Sequence, residues 1–251
     1  MKSQDTTTST RVRPPLGQGL LREILLVGTA YLVYSQVRGL AGDRVFDAFS
    51  NGYRIVSIEQ EIGIFKELAI QAALIPNDAI VQFFNLIYFY GLFPLLLPTA
   101  AVLYLRNPEV YVLARNAFLI SGAIAVCFFL LLPTAPPRLI GMGFIDTLNS
   151  GFGPSYESIP GVNHFAALPS MHVGWNFLTA FAIFLSLNGF RGRGLVLILA
   201  PVMFLATVVT GNHYFVDGAI GILVACVGLA VAMKLDQLRR GKRGETLAPS
   251  A

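Results

Sequence analysis

The sequence predicts an all-α integral membrane protein: a six-transmembrane-helix bundle with an interfacial helix on the outer face between spans one and two. Three observations predict it. Of 251 residues, 55% are hydrophobic and 13% charged, with a mean hydropathy of +0.64, whereas soluble domains carry about 25% charge. Apolar runs of membrane-crossing length recur along the chain, and a bundle of six fills it without room for a separate soluble domain. Lys and Arg gather in alternate connections, which gives the runs a consistent orientation.

Residues 1–19 are polar, with Thr6–Thr8, Arg11, Arg13 and the pair Pro14–Pro15, and read as a disordered cytoplasmic tail. The membrane catalytic domain is expected over 20–235. Its first span, about 20–37, is flanked by Arg22, Glu23 and Arg38. The stretch YLVYSQVRGL offers no small-residue cleavage point, so the run is an uncleaved span and not a signal peptide. Residues 43–77 turn mixed: Ile58, Ile62, Phe65, Ala69 and Ala72 repeat at helical spacing, while Glu59, Lys66 and Glu67 fall largely elsewhere on the wheel. That pattern predicts one helix lying in the interface.

The second span, about 79–105, contains Pro94 and Pro98, which predict a kink. The third, about 110–132, opens into TAPPR (Thr134–Arg138) and then a Gly/Ser/Asn/Pro-rich loop reaching Ala167, of a length that tends to carry function. Spans four to six follow at about 170–187, 195–210 and 213–233, and 236–251 form a basic cytoplasmic tail. Cys127 and Cys226 fall inside spans and read as buried, reduced thiols rather than a disulfide.

With the N-terminus cytoplasmic, thirteen of the eighteen basic residues lie in inner segments, leaving Arg38, Arg44, Arg54, Lys66 and Arg138 outside with most of the acids. The positive-inside rule then puts both termini in the cytoplasm and the motifs described next on the outer face. The formal net charge of +4 is spread among loops and tails and forms no aromatic-laced patch, which argues against nucleic acid.

Two stretches hold two of the three histidines: LPSMHVGW (Leu168–Trp175) and TGNHYFVDGAIG (Thr210–Gly221). Asp217 stands four residues after His213, the spacing that puts two side chains on one helix face, so a carboxylate can hold the imidazole by one nitrogen. Pro169 and Ser170 stand where a chain enters a helix. His172 then falls in the first turn, beside backbone N–H groups that suit an anion. Arg138 adds a planar fork of donors that suits a phosphate held in one orientation.

A histidine that attacks phosphorus needs one ring nitrogen unprotonated and the other N–H bonded to an acceptor, which His213 and Asp217 can provide. His172 can protonate the departing alkoxide and then deprotonate the water or alcohol that cleaves the intermediate. Competing readings are two packed histidines bonded to backbone, an Arg138 that snorkels to the head groups, and a zinc site of His172, His213, Asp217 and His164. Against zinc stands the lack of a paired H-x-x-x-H or H-E-x-x-H array. From another class comes a catalytically silent lipid-binding membrane protein.

PSMH followed by GNHYFVD resembles the second and third motifs of the type-2 phosphatidic acid phosphatase superfamily. HYFVD with TAPPR most resembles its inositol phosphorylceramide synthase-like, or inositolphosphotransferase, branch. The resemblance covers residues 79–233 and implies a six-helix membrane fold with a metal-independent phosphohistidine mechanism and no cofactor. It matches His213 to the nucleophile, Asp217 to its orienting acid, His172 to the acid/base and Arg138 to the first-motif arginine; Ser170 and Asn212 complete the expected phosphate-binding set. The implied activity is transfer or hydrolysis at a phospholipid or other lipid-linked phosphate, with a simple lipid phosphate or prenyl diphosphate phosphatase as the alternative. Three positions depart from the pattern: Leu131 stands for the first-motif lysine, Ala206–Thr207 for the third motif's Ser-Arg, and Leu92 for the branch's histidine after the second-span glycine.

Overall fold

The computed structural model describes residues 16–39, 44–149, 163–187, 194 and 196–242. These form nine α-helices and no strand: α1 (Leu16–Gly39), α2 (Val45–Glu61), α3 (Glu67–Leu74), α4 (Asp78–Tyr90), α5 (Phe93–Arg106), α6 (Pro108–Leu131), α7 (Met171–Ser186), α8 (Leu199–Val209) and α9 (Phe215–Lys242), with a 3₁₀ turn at Pro137–Leu139. Helix α9 is the hub, packing on α6 and α7. Helix α8 joins α7 to α4 and α3, and α6 carries α1 and α5 on its other flank. The shared core holds Phe129, Met171, Trp175, Leu178, Met203 and Val224, and Trp175 donates its indole N–H to Ser121 Oγ at 3.2 Å.

Helices α1, α6 and α9 are each long and apolar enough to cross a membrane, and α4 with α5 makes a fourth such unit if the bent pair counts as one span. At 16 and 11 residues, α7 and α8 measure about 24 and 16 Å at 1.5 Å per residue, short of a full hydrocarbon core. Large apolar side chains such as Leu97, Leu131 and Leu223 face outward. That surface suits lipid as the surrounding solvent.

The structure alters several expectations. The run 79–105 is two helices inclined by 44°. Pro94 is the reason: its ring would collide with the carbonyl of Tyr90 in a continuous helix, so α4 ends at Tyr90 and Pro94 sits in the first turn of α5, with only Pro98 inside it. The single interfacial helix over 43–77 is two, because Gly63 takes a φ of +77° and closes α2, with the amides of Ile64 and Phe65 turned back to the Glu59 carbonyl. On that segment Ile58, Ile62, Ala69 and Ala72 are exposed, whereas Glu59, Glu67 and Gln71 are buried. Residues 16–19, read as tail, are the first turn of α1, and 236–242 continue α9.

Cys127 and Cys226 are free, as expected, but lie exposed on α6 and α9 instead of buried. Residues 1–15, 150–162, Arg191, Arg193 and 243–251 lie outside the described residues, and with them most of both tails and part of the long loop.

Candidate active site

Four chain segments meet above the N-terminal ends of α7 and α9. TAPPR is pinned to the stretch before α7 by Thr134, whose N–H reaches the Phe165 carbonyl at 2.7 Å while its own carbonyl accepts from Ala167 N–H at 3.2 Å. Arg138 follows on the 3₁₀ turn, its N–H bonded to the Gly211 carbonyl at 2.9 Å. Gly211 lies just past the C-cap of α8 with a φ of +66°, the left-handed ending that glycine provides. A side chain there would press on Arg138 Cβ and Gln71 Nε2, each 3.2 Å from the position of a Cβ.

This turn aims His213 at the site. The Thr207 carbonyl accepts the amides of Asn212 and His213 at 3.0 and 3.3 Å, and His213 Nδ1 lies 2.8 Å from the Ala167 carbonyl oxygen. Asp217 Oδ2 is farther, at 3.4 Å, and accepts the N–H of Tyr214 at 3.0 Å. The expected pairing of His213 and Asp217 therefore has a different origin: His213 precedes the helix and does not sit on it, and Asp217 reaches back to the helix start as a third-position cap. Asp217 is wholly buried behind the histidine.

A cavity of about 210 Å³ opens in front. Its polar lining includes Arg138, His164, His172, Asn212 and His213, and its aromatic lining includes Tyr31, Tyr34, Phe93, Phe129 and Trp175. The rings of His172 and His213 are 6.0 Å apart, and His172 stacks on Tyr88 at 4.3 Å between centroids. Arg138 is held on three sides: Nε donates to Asn212 Oδ1 at 3.0 Å, Nη1 to Asp146 Oδ2 at 3.0 Å, and Nη2 lies 3.4 Å from His164 Nδ1.

Of the six residues expected from sequence, His172, His213, Arg138 and Asn212 line the cavity, and Asp217 supports it from behind. Ser170 does not reach it. It occupies the N-cap of α7 without a side-chain cap bond, and its buried Oγ has no hydrogen-bond partner among the described residues.

Asp146 and Tyr88 carry no motif signal in the sequence, and His164 enters there only as a candidate zinc ligand. Among the described residues no group of three His, Cys, Asp or Glu is arranged to hold a metal. Of the three departing positions, Leu92 lines the cavity, Leu131 is 71% exposed on the outside of α6, and Thr207 is buried with its hydroxyl bonded to the Phe204 carbonyl.

The family model described as PAP2 superfamily matches residues 53–231, most of the chain, with Arg138, His164, His172, Asn212 and His213 inside the match. No curated protein matches the chain, and no solved structure does.

Proposed function

The chain belongs to the PAP2 superfamily, and on that premise we propose that it is a membrane lipid phosphotransferase or phosphohydrolase working through a phosphohistidine at His213. The observation that carries the reading is the shared cavity: Arg138, His172 and His213 line it together with aromatic and apolar side chains. A lipid phosphoester brings both an anionic head and an apolar body to such a lining.

His213 Nδ1 is committed to the Ala167 carbonyl, which holds the ring as the tautomer with its lone pair on Nε2. Nε2 attacks phosphorus, the bond from phosphorus to the lipid or head-group oxygen breaks, and His172 gives its proton to that oxygen. Water or an alcohol then delivers its proton to His172 as its oxygen displaces Nε2, which restores both rings. The ring gains positive charge while it carries phosphorus, and Asp217 sits where that charge develops. Arg138, pre-oriented by Asn212 and Asp146, holds the phosphoryl oxygens. No residue in this scheme asks for a metal or a cofactor.

Transfer to an alcohol, as in the inositolphosphotransferase-like branch, and transfer to water share the first half-reaction and differ in the acceptor that enters. Counting α7 and α8 as short spans supports a six-span bundle, and the Lys/Arg distribution supports cytoplasmic termini with the cavity on the outer face. Product analysis tests the activity. Purified protein is offered phosphatidic acid, prenyl diphosphate or phosphatidylinositol, with and without an alcohol acceptor, beside His213→Ala. Free phosphate absent from the variant marks a hydrolase, a new phosphodiester lipid marks a transferase, and neither product from any donor contradicts the reading.

A further inference from the structure

The start of α9, directly after His213, is held by three carboxyl groups from three parts of the chain. Asp217 takes the N–H of Tyr214 at 3.0 Å, Glu67 of α3 takes that of Phe215 at 2.8 Å, and Glu59 of α2 takes that of Val216 at 2.7 Å. Glu59 and Glu67 are 0% exposed. A helix N-terminus has backbone donors with no partner in the helix and the positive end of its dipole, so both groups are well placed for an anionic or hydrogen-bonding oxygen. The same α3 face carries Gln71, which donates to the Val209 carbonyl at the end of α8 and to the Ile145 carbonyl beside Asp146, both at 2.9 Å.

We propose that Glu59 and Glu67 are positioning residues for His213: they fix the first turn of α9 and thereby the distance and tilt of the imidazole relative to Arg138 and His172. The inference rests on the catalytic reading of His213. Its geometry, though, is independent of it. His213 is a link between two anchored points, the Thr207 carbonyl on one side and the Glu59–Glu67 clamp on the other. Apolar packing could hold α2 and α3 on α9 as well as two buried carboxyl groups do, because taking such groups out of water offsets most of what their bonds contribute. What the carboxyl groups add is direction, since each oxygen fixes one named amide. Neither residue lines the cavity, so neither touches substrate.

The test compares Glu59→Ala, Glu67→Ala, Glu59→Gln and Glu67→Gln with Glu61→Ala, a control on the exposed side of α2. Two readouts are taken in detergent: hydrogen exchange of the peptide spanning 212–218, and kcat and KM on a lipid phosphoester. Each alanine variant should exchange about tenfold faster there and lose about tenfold in kcat, the loss of one hydrogen bond, with KM within about threefold. The glutamines keep an acceptor oxygen and should recover most of that loss, while Glu61→Ala matches the wild type in both readouts. If alanine variants do not fold, Glu67→Asp carries the test, because it withdraws the oxygen by one methylene and should show both effects in smaller measure. Wild-type exchange and wild-type kcat in the Glu59 and Glu67 variants overturn the clamp. Faster exchange in a protein whose wild type turns over no phosphoester supports the clamp and removes the catalytic reading alone.

Discussion

His213 Nδ1 meets the Ala167 carbonyl oxygen at 2.8 Å, a bond made across the start of α7 by the backbone just ahead of His172. The ring is therefore oriented by an acceptor that no side-chain substitution removes, and Asp217, at 3.4 Å, adds charge more than it sets the tautomer. Asp217→Asn should accordingly lower kcat by about 10- to 100-fold, well short of the roughly 10⁴-fold that follows when a carboxylate is the group that sets the tautomer. Steady-state kinetics on a soluble-chain lipid phosphate reads the difference.

Arg138 spends its fork on Asn212, Asp146 and His164. A lysine keeps the charge but cannot make three such contacts from one plane. Arg138→Lys should lower kcat/KM by about 10- to 100-fold, equivalent to one or two charge-assisted bonds, with the protein still folded by size-exclusion chromatography.

Helices α7 and α9 cross at two glycines. A Cβ on Gly221 would stand 2.2 Å from the Ser170 carbonyl oxygen, and one on Gly174 would stand 2.4 Å from the Gly221 carbonyl oxygen. Both clashes are with backbone, which cannot swing aside. Gly221→Ala should cost about 1–3 kcal/mol of stability by overpacking and lower activity with it, since the crossing sets His172 against His213. Gly28→Ala, with nothing within 4 Å of the new carbon, should leave the thermal midpoint unchanged.

Burial, with Glu67 within hydrogen-bonding reach and Asp217 nearby, pushes the Glu59 carboxyl up from 4.5 to about 9. Between those values the folded protein keeps a proton that the unfolded chain releases, so stability is greatest at the acidic end and falls as pH rises toward about 9. Thermal unfolding measured from about pH 5 to about pH 9 should show that decline in the wild type and a flatter profile in Glu59→Gln, which is neutral throughout.

Much of this site was readable as local sequence. PSMH and GNHYFVD put His172 and His213 at helix starts because capping and turn residues act over a few positions, and TAPPR ended on an arginine that could only be for an anion or a head group. Ser170 stands at the helix start that local sequence predicts, but whether its side chain joins the cavity lining is a matter of packing that capping chemistry does not decide. Glu59, Glu67 and Gln71 were invisible in a different way. On a helical wheel Glu59 and Glu67 read as the polar side of an interfacial helix and Gln71 carries no signal, and periodicity cannot say that this side faces inward, toward the Val216 and Phe215 amides 157 and 148 residues along the chain and the Val209 carbonyl 138 residues along it. The exposed Ile58 and Ile62 are the other half of that inversion: where lipid is the solvent, the apolar face points out.

The most direct test of a His213 nucleophile is to trap the intermediate. Protein is mixed with a lipid phosphate labelled on phosphorus, quenched in alkali within a turnover, digested and mapped. An acid-labile, alkali-stable label is expected on the peptide carrying His213 and absent from His213→Ala, whereas label on any other residue, or wild-type turnover in His213→Ala, overturns a nucleophilic His213.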